Sequence, residues 1–155
     1  MLQTNQNAPL DIQVLAQDGS TVSLRDLLGK PVVLYFYPKD NTPGCTKEAC
    51  SFRDFESELQ ELGVQVIGVS ADSVESHNKF SEKHNLSFSL WSDPKKELMQ
   101  AFGVINEKSL FGKTVLGIMR STFAIDATGI ILKVWPKVQV ANHTQEVIEF
   151  FKSKK

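Results

Sequence analysis

The sequence predicts an α/β fold, a central mixed β-sheet flanked by helices. Three observations carry this. Residues 32–37 and 64–70 are continuous apolar runs rich in β-branched and aromatic side chains, the pattern of strands buried on both faces. After the first run, Phe52, Phe55, Leu59 and Leu62 recur at spacings of three and four, as on one face of a helix. Near the C-terminus, residues 122–126 and 130–135 flank Thr128-Gly129 and read as paired strands. Buried strands joined by helices and followed by a hairpin give a mixed sheet.

The elements follow in order. Residues 12–15 suggest a short strand, and Asp18-Gly19 a turn. Ser23-Leu24-Arg25-Asp26 reads as a short capped helix ended by Gly29. The strand at 32–37 lies between Pro31 and Pro38, and a loop leads from Lys39 to Gly44. A helix is expected over about 45–62, stopped by Gly63. After the strand at 64–70 come a more polar helix at 73–85 and a short strand at 88–91. Asp93-Pro94 opens a helix carrying Leu98, Met99 and Phe102. Residues 103–120, with three glycines, read as a looser stretch. The last helix begins near Asn142 or His143 and contributes Val147, Ile148, Phe150 and Phe151.

Composition narrows the function. At 155 residues one domain, 1–155, is expected, burying roughly 70% of the unfolded surface. With 17 basic and 18 acidic side chains, no field of one sign is available to hold nucleic acid or an anionic membrane. No run approaches the ~20 apolar residues of a membrane span. The polar start, residues 1–9, has neither an apolar signal core nor an Arg-rich transit character, so a soluble, cytoplasmic protein is expected. Two cysteines are too few for a disulfide scaffold.

Cys45 is the informative residue. It lies just past the carboxyl end of a strand, where ligand sites of open α/β sheets gather, in the expected first turn of a helix. Free N–H groups and partial positive charge there favour a thiolate. Gly44 before it allows close approach of backbone to a ligand. Cys50 lies five residues on. On an ideal helix that is a rise of ~7.5 Å, with Cα atoms roughly 8–9 Å apart, beyond the ~7 Å that a disulfide spans. The pair is therefore a poor staple and can bond only if the helix unwinds. The bland alternatives are that both cysteines are filler, or that they form half of a zinc site completed by His77, His84 and His143, which no spacing requires.

The run Pro38-Lys39-Asp40-Asn41-Thr42-Pro43-Gly44-Cys45 resembles the Pro-x-x-x-Thr-x-x-Cys motif of peroxiredoxins. The flanking residues 33–38 and 46–54 resemble the bacterioferritin comigratory protein, or peroxiredoxin Q, subfamily. So do Gly68-Val69-Ser70, Trp91-Ser92-Asp93, Phe102-Gly103-Val104 and Gly117-Ile118-Met119-Arg120-Ser121-Thr122-Phe123. Leu10-Asp11-Ile12 departs from the acidic-aromatic pair of many relatives. The resemblance implies a thioredoxin-like fold, a hydroperoxide substrate, no cofactor and no metal. It implies Cys45 as the peroxidatic cysteine, Cys50 as the resolving cysteine and Thr42 as the hydroxyl that contacts thiolate and peroxide. Arg120 would stabilise both, Glu48 orient the arginine, and Pro38 shape and shield the pocket. Taken alone these residues read otherwise: Thr42 as a turn residue, Arg120 as a surface charge, Glu48 as a first-turn helix acid and Pro38 as a strand stop.

The implied cycle is oxidation of Cys45 to a sulfenic acid, attack by Cys50, and reduction of the disulfide by thioredoxin or a similar dithiol, in a monomer. A thiol–disulfide oxidoreductase is the first rival, but its cysteines usually stand as C-x-x-C. A non-enzymatic redox sensor is the second.

Overall fold

The computed structural model describes residues 1–154, and only the backbone of Lys108 and Leu110. Seven strands form one mixed sheet: β1 (Val14–Leu15), β2 (Thr21–Val22), β3 (Val32–Phe36), β4 (Gln65–Ser70), β5 (Ser89–Ser92), β8 (Ser121–Ile125) and β9 (Ile131–Trp135). Their order is β2-β1-β5-β4-β3-β8-β9. The central β3, β4 and β5 run parallel, and β8 returns antiparallel to β3. β6 (Ile105–Leu110) and β7 (Lys113–Ile118) form a separate antiparallel pair.

The alternation of β3 divides the core. Val32, Leu34 and Phe36 point to a cluster with Val69, Met99, Phe102 and Phe123. Val33, Tyr35 and Tyr37 point to the other face, against Phe52, Leu59, Phe80 and Val147. The second face is covered by α1 (Pro43–Asp54), α2 (Glu56–Glu61), α3 (Val74–His84) and α5 (Val140–Ser153), and the first by α4 (Glu97–Phe102). All five residues of β3 are buried, as a continuous apolar run requires. Gly68 on β4 is needed opposite Tyr35, because a Cβ there would lie 2.7 Å from the ring carbon Cζ.

Several boundaries differ from expectation. The single helix expected over 45–62 is two, broken at Phe55 (φ −105°, ψ 9°) with neither glycine nor proline to announce it. Phe52 and Leu59 are fully buried across the break, whereas Phe55 and Leu62 are only partly covered. α1 also starts earlier, with Thr42 at the N-cap and Pro43 in the first turn, where its missing N–H costs nothing. α4 begins only at Glu97, and the Asp93 carboxylate accepts from the Met99 N–H at 2.9 Å. α5 begins earlier than expected, at Val140, and its N-cap Gln139 makes no side-chain cap that would mark the start. The looser stretch at 103–120 is the β6–β7 hairpin. It was hidden because β7 is largely exposed and carries no alternation, and its turn uses Phe111-Gly112 (φ 52° and 76°) instead of Asn-Gly. The helix expected over 73–85 is α3, with Ser73 accepting from the Ser76 N–H and Asn85 left-handed at the C-cap.

Phe52 fastens α1 to the sheet. It is fully buried, and its ring stacks on Tyr35 with centroids 4.8 Å apart. Phe52→Ala is expected to cost about 3–5 kcal/mol, read as a lower urea midpoint with an unchanged slope.

Candidate active site

The register of β3 and β8 assembles the site. Phe36 pairs with Ser121, so Arg120, one residue before, stands beside the carboxyl end of β3. From that end the chain turns through residues 37–42 into α1, and Cys45 falls in the helix's first turn. The Thr46 N–H bonds to the Thr42 carbonyl at 2.8 Å, leaving the N–H groups ahead of it at the positive end of the helix. Both cysteines are free thiols on this one helix, Cys45 buried and Cys50 half-buried.

Arg120 is held through its backbone, its carbonyl accepting from the Val138 N–H at 3.0 Å. Its guanidinium makes two contacts: Nη2 donates to Cys45 Sγ at 3.3 Å, and Nη1 donates to Glu48 Oε1 at 2.7 Å. Gly44 leaves room for this. A Cβ there would lie 3.1 Å from Nη2. Three residues from Cys45 on the same helix, Glu48 is 1% exposed, and its Oε2 has no hydrogen-bond partner among the described residues. Burial pushes its carboxyl up to about 7, with Arg120's charge and hydrogen bond pulling the other way. Arg120 is itself opposed by burial, but Glu48 and Cys45 hold its proton more tightly than usual. The pairing favours the arginine's charge more than the carboxylate's. Arg120 keeps 20% of its side chain in contact with solvent, and Glu48 leaves one oxygen unsatisfied.

The structure therefore brings Cys45, Gly44, Glu48 and Arg120 together. The Thr42 hydroxyl donates to the Lys39 carbonyl at 2.8 Å, inside its own loop. Pro38 is exposed at the end of β3. The histidines lie apart from the cysteines: His77 bonds Asp40 and the Trp91 carbonyl, His84 packs on Phe80, and His143 bonds Thr122. Asp40, Asp72 and His77 bring possible metal-binding atoms within 4.8 Å of one another, but those atoms already bond among themselves and to Tyr37, Ser70 and Ser76. Sequence reasoning gave no role to Asp40 or Tyr35 and weighed His77 only as a zinc ligand. The Tyr35 hydroxyl is buried with no hydrogen-bond partner among the described residues, and burial, Glu48 and Cys45 push it well above its usual range.

Two expectations follow from this geometry. Gly44→Ala forces the guanidinium to shift by tenths of an ångström, and should slow oxidation of Cys45 by roughly tenfold, measured by stopped-flow with peroxide. For Glu48 the folded pKa of about 7 lies above the ordinary 4.5. The folded state therefore holds the extra proton between these values, and stability falls as pH rises through that window. Relative to Glu48→Gln, the wild type should lose about 2–3 kcal/mol between pH 4.5 and 7.5, read from denaturant midpoints. A constant difference across that range would contradict the assignment.

The AhpC/TSA family pattern matches residues 4–134. Peroxiredoxin Bcp of Bacillus subtilis is 50% identical over 151 residues, covering 97% of this chain and 96% of that one. Peroxiredoxin Bcp of Escherichia coli is 46% identical over 136 residues, covering 88% and 87%. Among solved structures, the Xanthomonas campestris bacterioferritin comigratory protein, described for its alkyl peroxide reduction activity, superposes with a TM-score of 0.93 at 40% identity over 99% of both chains. The fold is that of thioredoxin-like peroxiredoxins. With this coverage and identity, the chain belongs to the AhpC/TSA family and is a peroxiredoxin of the Bcp or peroxiredoxin Q kind, a thiol-dependent peroxidase.

Proposed function

We propose that Cys45 reduces hydrogen peroxide and organic hydroperoxides, alkyl hydroperoxides included, and that Cys50 resolves the product. The carrying observation is the Arg120 Nη2 contact at 3.3 Å to a buried sulfur at a helix N-terminus. The Cys45 thiolate attacks the terminal peroxide oxygen. An S–O bond forms, the O–O bond breaks, and the other oxygen leaves as water or alcohol after taking a proton. Arg120 is suited to the charge that develops, since it stays protonated and presents several donors in a fixed fork. Glu48 fixes the plane of that fork by accepting from Nη1. Thr42 completes the donor set once its hydroxyl leaves the Lys39 carbonyl, and Pro38 borders the approach.

The resulting sulfenic acid and the Cys50 thiol condense to a disulfide with loss of water. Both sulfurs sit on α1, so the first turns must unwind. Thioredoxin or a similar cytoplasmic dithiol then reduces the disulfide by exchange, on a monomer. Sulfur carries both electrons, so the cycle uses no cofactor or metal.

Steady-state peroxide reduction with thioredoxin, thioredoxin reductase and NADPH tests this reading. Cys45→Ser should be inactive, with an unchanged circular dichroism spectrum. Cys50→Ser should react with one equivalent of peroxide, stop at the sulfenic acid and over-oxidise more readily. Mass spectrometry of the oxidised wild type should show a 45–50 disulfide. Full turnover by Cys50→Ser with thioredoxin would overturn the two-cysteine cycle, and insulin-disulfide reduction outpacing peroxide consumption would favour an oxidoreductase.

A further inference from the structure

The loop ahead of α1 has the composition of a mobile turn, Lys39-Asp40-Asn41, with Asn41 at φ 62°. Yet Asp40 is 4% exposed. Its Oδ1 accepts from the Tyr37 hydroxyl at 2.6 Å. Its Oδ2 accepts from the Ser76 hydroxyl at 2.8 Å and lies 2.7 Å from His77 Nδ1. Its own N–H donates to Asp72 Oδ2 at 2.8 Å, which also accepts from the Ser70 hydroxyl at 2.6 Å. His77 is fully buried, and its Nε2 lies 2.9 Å from the Trp91 carbonyl. A carbonyl can only accept, so Nε2 carries a proton. Burial works to raise the Asp40 carboxyl, but hydrogen bonds from His77, Tyr37 and Ser76 outweigh it and hold it below its ordinary value. The loop is thus tied to β4, α3 and β5 at a point five residues before Cys45.

We propose that Asp40 and His77 are positioning residues: their clasp holds the approach to Cys45 in place for peroxide attack and marks the upstream limit of the unwinding that lets Cys50 reach it. Downstream, Phe52 marks the other limit, stacked on Tyr35. The two sulfurs lie between these fixed points. Only the segment between them has to leave its place, which keeps loop closure short. The clasp touches neither peroxide nor sulfur and acts through the path of the backbone. This inference rests on the two-cysteine reading above.

The test compares Asp40→Ala with Asp40→Asn. Asparagine can still accept from Tyr37, and its amide can donate to a singly protonated His77, so the clasp survives without its charge. Asp40→Ala should slow oxidation of Cys45 by about tenfold or more, and Asp40→Asn by no more than about threefold. In Asp40→Ala the disulfide should form from the sulfenic acid at least as fast as in wild type. Sulfinic acid at a given peroxide concentration should be unchanged or lower. Hydrogen exchange in the reduced protein should quicken over residues 39–46 and stay unchanged over 52–59. If Asp40→Ala does not fold, Tyr37→Phe removes one donor, keeps the ring and should give a smaller loss in the same direction. The proposal is overturned by an unchanged oxidation rate, by equal losses in Asn and Ala, by both chemical steps slowing together, or by unchanged exchange over 39–46. An active Cys45→Ser would instead sink the functional reading, and the exchange comparison would still judge the clasp.

Discussion

A guanidinium shared between a buried sulfur and a buried carboxylate organises this protein. Cys45 and Glu48 are each 1% exposed and sit on one helix, whose Phe52 stacks on Tyr35 of the sheet. Two groups able to carry negative charge, one helical turn apart in an aromatic cluster, would be costly without a fixed positive charge between them. A pair 4 Å apart interacts by about 4 kcal/mol at the effective dielectric of a protein surface. Arg120 provides that charge, and three unrelated features place it. The β3–β8 register brings it alongside the end of β3, the Val138 N–H holds its carbonyl, and Gly44 makes room for its Nη2.

The same helix meets opposing demands. On the proposed cycle, oxidation of Cys45 needs its first turn held still against Arg120, and resolution by Cys50 needs that turn undone. α1 has the build for both. It is 12 residues long, about the length at which an isolated helix is marginal, so its order depends on packing. Cys45, Glu48 and Ala49 are buried along its front half, and past Cys50 it is anchored by buried Phe52 and by the Ser51 hydroxyl, which donates to Thr144 Oγ1 at 2.7 Å. His143, beneath Phe52 and held to about 4 by burial, stays neutral at physiological pH and gives this anchor no charge to lose. The Phe55 break isolates α2, so unwinding at the front of α1 need not propagate into Leu59 and the base of β4.

Buried strands were legible because burial on both faces leaves an unbroken apolar run, as in β3 and β4. α3 was legible because its caps are local chemistry, Ser73 and Asn85. The hairpin β6–β7 was not, since an exposed ribbon needs no alternation and its Phe111-Gly112 turn uses an uncommon residue. Nor was the Phe55 break, since neither glycine nor proline marks it in the sequence. In the site, Cys45 could be located from a strand, a loop and a helix start. Arg120 could not. Its place depends on a register 75 positions away, and only the resemblance pointed to it. Asp40 was passed over as a loop charge because its partners Asp72, Ser76 and His77 lie more than thirty positions downstream.

Glu48 shows how charge is balanced at such a site. With the carboxyl protonated, Arg120's charge faces the sulfur alone. With it ionised, the guanidinium's charge is shared, Nη1 facing the carboxylate and Nη2 the sulfur. A carboxyl near 7 lies between these limits at physiological pH: burial raises it, and among the described residues no second hydrogen bond to Oε2 favours the ionised form. The second donor that would seal the ion pair is the one withheld. The Tyr35 hydroxyl, also buried with no hydrogen-bond partner among the described residues, belongs to the same electrostatic neighbourhood, and its proton is held by burial and by the charges of Glu48 and Cys45. Leaving Oε2 unsatisfied costs stability, and it leaves the arginine's charge less fully balanced by the carboxylate and so available to the sulfur.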